Sequence, residues 1–406
     1  MTPTKAQKVG ATMLIAGTAI GAGMLGMPIV SGVCGYFLSI CLILFCFVLM
    51  LANLFLLLEA TLYCKDPYAN IISLSREHLG PIWSAVCWIC FMLLLYAVIA
   101  SYINAGADLM SEMLEFTFPL SIETCMFIFS VIFGTIVLFG VSSIDKMNRI
   151  LMLGLIVTFI MIVGLMTPFL SLKKLSLSGQ IKYVPNAFPI IAAAFTSHLV
   201  LPSVRAYIQN TRSLKRILLI GSLIPLILYI MWQTAVIGIA EVKGQYSLLG
   251  FATTRSPIGD FLDFLIIKHR LYMIGTITEL FFLFAITTSF LGVLLSLNDF
   301  LADGFKITEK TFKIRLMLLS LSIVPPLLFA IFSQSAFTLT LNFAGLFIAI
   351  LYCIIPALVV IKNRMANNTA EFILPGGWPV VSVVLMFGIL FAILSLMSSQ
   401  GWLPHP

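Results

Sequence analysis

The chain has 406 residues, 61% of them hydrophobic and only 10% charged, with a net charge of +7 and a mean hydropathy of +1.11. A water-soluble fold of this length has no way to hide that much apolar surface, so the composition specifies a polytopic membrane protein. Most of the Lys and Arg sit in short loops between apolar runs, where they mark topology; no nucleic-acid partner is expected.

A helix needs about 20 apolar residues to cross the hydrocarbon layer. Eleven such runs occur in order, near 9–30, 35–62, 83–107, 121–141, 150–171, 188–208, 217–240, 271–298, 316–334, 336–361 and 378–398. The first follows Lys5 and Lys8 but is too long for a signal peptide, so it is read as an uncleaved span. The ninth and tenth require a very short turn near Ser333–Ser335. The polar stretch 241–270 is the longest loop, with room for a short helix. The eight cysteines lie in or beside apolar runs. Cys87 and Cys90 form a C-x-x-C inside a span with no second pair or His nearby, and are read as reduced packing residues. With the N-terminus in the cytoplasm, sixteen of the 23 Lys and Arg fall on the cytoplasmic side. That bias predicts a cytoplasmic N-terminus and a periplasmic C-terminus, with Lys173 and Lys174 against the rule.

Two spans carry signals for coming apart. The first contains AGTAIGAGMLGMP (16–28), with Gly17, Gly21, Gly23 and Gly26 in ten residues and Pro28 closing the run. The sixth contains IIAAAFTSHLVLPSVRAYI (190–208), with Thr196, Ser197 and His198 at mid-depth and Pro202 beyond. Unwound backbone inside a bilayer is costly unless it lines a cavity or binds something. Breaks in the first and sixth spans suggest two five-helix repeats, 9–171 and 188–361, with an extra helix at 378–398 in one transporter domain. Broken helices of this kind meet at a substrate site near the midplane. Free N–H groups at Gly21, Ala22 and Gly23 suit a carboxylate, and free carbonyls near Gly17–Ala19 suit an ammonium group. The competing reading is a small-residue face for tight helix packing.

The sequence IGAGMLGMP (20–28) resembles the first-span motif of the bacterial hydroxy and aromatic amino acid permeases. LLLEATLY (56–63), YAVIASYINAGADL (96–109), IGSLIPLILYIMWQTAVIG (220–238), AITTSFLGV (285–293) and NDFLAD (298–303) resemble further blocks. The similarity runs along nearly the whole chain and is nearest to the tyrosine-specific branch, with the tryptophan permeases next. It implies an all-α fold of about eleven transmembrane helices, similar to the leucine-transporter class with its five-plus-five inverted repeat and broken helices one and six. It also implies uptake of an aromatic amino acid, tyrosine first, across the bacterial inner membrane by proton symport. FTSHLVLPS (195–203) departs from the family: it lacks the glycine-bearing turn and is shorter, which bears on the pocket and hence the substrate.

The candidate substrate site is Gly21, Ala22 and Gly23 for the carboxylate, and Phe195, Thr196, Ser197 and His198 for the ammonium group and a ring wall. Tyr102 and Asn104 join it as an aromatic wall and a polar partner, with Tyr96 a further ring. His198 is also a candidate proton carrier, against a histidine hydrogen-bonded within the bundle. Thr288 and Ser289 match a sodium-binding pair of the wider fold class; the alternative is back-bonding within the helix. Glu59 and Asp299 are candidate proton carriers or partners of Arg149 or Arg205; the alternative is an interfacial charge pair. The expected partners are a small amino acid and the lipid bilayer, with no obligate protein partner. No cofactor or metal is expected; the coupling ion is a proton, with sodium the alternative. The alternative substrates are tryptophan or a broader aromatic or neutral set. A membrane enzyme is the reading from another class, but no H-E-x-x-H, G-x-S-x-G or P-loop motif occurs.

Overall fold

The computed structural model describes residues 3–64, 66, 69–114, 120–139, 141–177, 179–242, 244, 247–252, 260–261, 264–267, 272–305, 307, 311–332 and 344–404. These residues form helices and connecting turns, with an isolated β-bridge between Glu241 and Ser247. In chain order the helices are α1 (Lys5–Ala19), α2 (Ala22–Gly32), α3 (Tyr36–Leu62), α4 (Ile71–His78), α5 (Pro81–Leu114), α6 (Ile122–Leu138), α7 (Val141–Met166) and α8 (Leu172–Leu175). Then follow α9 (Val184–Ala194), α10 (Leu201–Ile208), α11 (Thr211–Ile239), α12 (Leu248–Ala252), α13 (Tyr272–Gly304), α14 (Phe312–Phe332), α15 (Ile355–Met365) and α16 (Gly377–Ser399).

Among the described residues nine helical segments are long and apolar enough to span a membrane, and Ile122–Leu138 is a shorter apolar helix. With the split pair α1/α2 they account for the eleven expected spans. The turn proposed near Ser333–Ser335 lies outside the described residues. Several helices overrun their apolar windows. The third span begins at Pro81 and runs to Leu114, and the eighth continues to Gly304. Hydropathy marks where lipid begins, and a helix can continue past that point.

Local sequence sets the ends. Thr4 and Gln7 form a capping box on α1, Ser121 caps α6, and Asn210 caps α11. The helix α4 was not legible in the hydropathy. It starts under the Asn70 side chain, which accepts from Ile72 and Ser73 N–H, and it buries Ile71, Ile72 and Leu74. The short helix anticipated in the 241–270 stretch is α12.

The chain divides into two compact units. The first comprises Met1–Phe91, Leu170–Ile258 and Gly345–Pro406; the second comprises Met92–Phe169 and Gly259–Ala344. Each draws helices from both halves of the sequence. In the first unit α1 packs on α11, where a Cβ at Gly221 would stand 2.7 Å from the Ile15 side chain. At Gly35 (φ +88°) and Gly179 two backbones touch: a Cβ on Gly179 would lie 2.0 Å from the Cys34 carbonyl carbon. Only glycine permits that approach. The Gln180 N–H to Val33 carbonyl bond, 2.9 Å, fixes the contact. In the second unit the core is aromatic. Phe129 packs on Phe133 and Phe290, with ring centroids 4.8 and 5.1 Å apart, and lies against Gly106 of α5.

Candidate functional site

Both predicted breaks exist, and both belong to the first unit. The α1 helix ends at Ala19, Ile20 is extended, and α2 begins at Ala22 with Gly21 as its N-cap and no side-chain cap. The N–H groups of a helix's first turn have no partner within the helix, so the start of α2 presents donors at Gly21–Gly23. Pro28 does not close the run as expected: α2 continues through it to Gly32. The chain had already separated at Ile20–Gly21, and proline removes just one N–H from a helix otherwise intact. The second break spans Phe195–Ser197 between α9 and a single 3-10 turn, His198–Val200, that leads into α10. Pro202 sits in the first turn of α10, where its missing N–H costs nothing.

Tyr229 of α11 joins the two breaks. Its hydroxyl donates toward the Ala19 carbonyl at 2.6 Å and the Ala194 carbonyl at 2.8 Å, the final carbonyls of α1 and α9. One phenolic proton therefore serves two helix C-termini. Tyr229 is fully buried, and its ring lies 5.0 Å from that of Phe195, which also meets Phe47 at 5.6 Å. Sequence reasoning assigned Tyr229 no role. The available signal was a hydroxyl in the middle of an apolar run, which demands a buried partner. The expectation that Gly17–Ala19 carbonyls are free is corrected at Ala19, whose carbonyl is taken by Tyr229.

His198 is fully buried, with its ring 5.7 Å from that of Tyr352. Tyr352 lies on a π-helical turn, Ala349–Ile354, just ahead of Pro356. The imidazole faces the Met50 main chain, but neither ring nitrogen makes a hydrogen bond of normal geometry. The Tyr352 hydroxyl and the Thr196 hydroxyl are also buried without partners. Native structures keep very few such groups, and those they keep call for a reason.

These two interruptions sit in a chain that matches the tryptophan/tyrosine permease family over residues 4–395. The chain belongs to that family. The tyrosine-specific transport system 1 of Haemophilus influenzae is 31% identical over 98% of each chain. The tryptophan-specific transport protein of Pseudomonas aeruginosa is 28% identical over 98% of this chain and 96% of its own. Among solved structures, the manganese transporter of Eremococcus coleocola shares the fold, with a TM-score of 0.62 at 14% identity, covering 96% of this chain and 85% of that one. The fold is thus that of the leucine-transporter class, and this permease is a multi-pass membrane protein.

The remaining predicted residues of the permease fall into two groups. Tyr102, Asn104, Thr288 and Ser289 belong to the second unit. The Tyr102 phenol is hydrogen-bonded with Ser289, which brings the third and eighth spans together. The Thr288 hydroxyl donates to the Ala285 carbonyl at 2.9 Å, the back-bond named above as the alternative to ion binding. The Asn104 amide nitrogen and the Thr287 hydroxyl are buried without partners. Tyr96 donates to the Leu321 carbonyl at 2.9 Å, which ties it to α14.

Glu59 lies in the first unit, away from the breaks. Its partner is neither Arg149 nor Arg205 but Arg364. The Arg364 guanidinium grips it two-pronged, Nε to Oε1 at 2.8 Å and Nη2 to Oε2 at 2.6 Å. Tyr63 donates to Oε1 and the Leu374 N–H to Oε2. Burial first, then the Glu59 carboxylate, push the Tyr63 phenol up to about 12, so it remains a donor. Arg205 instead donates to the Cys64 and Asp66 carbonyls. Hydropathy could not find the Glu59–Arg364 pair because 305 positions separate its members. Asp299 is exposed near the C-terminal end of α13.

Proposed function

We propose that this permease imports an aromatic amino acid, tyrosine in the first instance, across the bacterial inner membrane by proton symport and alternating access. The N-terminus is cytoplasmic and the C-terminus periplasmic. The observation that carries the reading is the pair of helix breaks tied together by Tyr229, in a chain whose relatives are named for tyrosine and tryptophan transport. The substrate carboxylate takes the free N–H groups at Gly21–Gly23, at the positive end of α2. Its ammonium group takes the carbonyls of Gly17 and Thr18 and the polar atoms of Thr196 and Ser197. Phe195 walls the ring on one side.

His198 is the proposed proton carrier. It is a buried imidazole beside the second break, facing the Met50 main chain, and its charge would respond to whatever the break binds. Glu59 is not retained in that role, because four hydrogen bonds close around its carboxylate.

The test is uptake of labelled tyrosine into proteoliposomes, with a pH gradient and a sodium gradient imposed separately. Accumulation under the pH gradient alone, competed by unlabelled tyrosine more strongly than by tryptophan or phenylalanine, is the expected result. Accumulation under sodium alone would transfer the coupling role to Thr288 and Ser289. Failure of counterflow in folded protein would remove the carrier reading.

A further inference from the structure

Where α3 ends, the chain turns through Tyr63 and Cys64 and enters α4, whose last residues, Glu77 and His78, come back onto Cys64. The Cys64 Sγ lies 3.6 Å from His78 Nε2. The Cys64 sulfur, a Glu77 carboxylate oxygen and a His78 ring nitrogen all lie within 4.8 Å of one another. A tetrahedral zinc ion with bonds of about 2.0–2.3 Å holds its ligands roughly 3.5 Å apart. The sulfur–nitrogen pair is already at that separation. The Glu77 side chain is exposed and free to close the remaining ångström or so.

We propose that Cys64, Glu77 and His78 form a binding site for a zinc-like divalent transition metal, with water in the fourth position. The Asn363 Nδ2 of α15 lies 3.0 Å from His78 Nδ1, on the side away from the sulfur, and donates to it, which holds the ring and keeps its resting proton on Nε2. Metal binding moves that proton to Nδ1, with the Asn363 amide turned so that its oxygen accepts it there. The Arg205 guanidinium holds the turn by donating to the Cys64 and Asp66 carbonyls. A thiolate selects against magnesium, calcium and manganese and in favour of zinc or cobalt. A dication with one thiolate, one carboxylate and a neutral imidazole makes a site of zero net charge, which lowers the cost of its partial burial.

The test uses the full-length protein in detergent, freed of any polyhistidine tag, with Co2+ as the optical probe and Zn2+ as competitor. One equivalent of Co2+ should produce a thiolate-to-cobalt charge-transfer band and four-coordinate visible absorption, both abolished by stoichiometric Zn2+. Cys64→Ser should remove the charge-transfer band, and His78→Gln should weaken binding at least tenfold. Glu77→Ala alters only an exposed side chain, so its folding is secure, and it should weaken binding in the same sense. Cys41→Ser, at an exposed cysteine elsewhere, should change nothing. Absence of the band in protein that is monodisperse on gel filtration would overturn the proposal. So would a band that survives Cys64→Ser, or full affinity in Glu77→Ala.

Discussion

The two helix breaks differ in how they are made. The first is made of small residues: Gly21 is an N-cap with no side chain, and backbone alone faces whatever binds there. The second is made of side chains: Phe195 is clasped by Phe47 and Tyr229, and His198 lies against Tyr352. One break offers donors and room, and the other offers shape and titratable chemistry. The contrast also separates two reasons for glycine. Gly21 has φ −145° and ψ −159°, extended backbone that any residue adopts. Glycine is therefore not required there by conformation. What it provides is the absence of a side chain.

That distinction can be broken experimentally. Gly21→Leu keeps an allowed backbone but fills the break, so uptake should fall by about 100-fold or more while the protein remains monodisperse, since displacing a bound group by an ångström costs that much. Uptake by Gly21→Leu at the wild-type rate would mean that the first break is packing alone. A control for stability rather than function is Arg364→Met, which leaves Glu59 buried without its charge partner. It should destabilise the protein by about 3–5 kcal/mol, read as a lowered thermal midpoint, because the desolvated carboxylate stays behind.

Tyr229→Phe tests whether the two breaks act together. It keeps the ring and removes the shared proton, leaving two helix-end carbonyls without it. A cost of about 1–3 kcal/mol is expected. If the link matters to transport, the maximal rate should fall as well as the stability; an unchanged rate would make Tyr229 a packing residue. At the second break, His198→Gln should retain tyrosine counterflow while losing accumulation driven by a pH gradient. Retained gradient-driven accumulation would move the proton elsewhere. The smallest effect belongs to Thr288→Val, which removes one hydrogen bond within a helix and should cost about 1 kcal/mol or less with transport intact. A large loss of transport there would reinstate an ion site at the eighth span.

Much of this permease was legible in its sequence because a bilayer makes simple demands. Each crossing needs a long apolar run, and each interruption of one needs glycine, proline or polar residues. Those local rules placed eleven spans and both breaks. They could not place partners across the chain. Glu59 meets Arg364 and Tyr229 meets Ala19 because separate helices bring those atoms together, and nothing in local spacing encodes that meeting. Nor could hydropathy see α4, a short amphipathic helix that carries His78 back to Cys64. Composition and periodicity decide which segments enter the membrane, through the free energy of burying backbone and side chains. Only tertiary packing decides which polar groups, once inside, find one another and which are left waiting for a ligand.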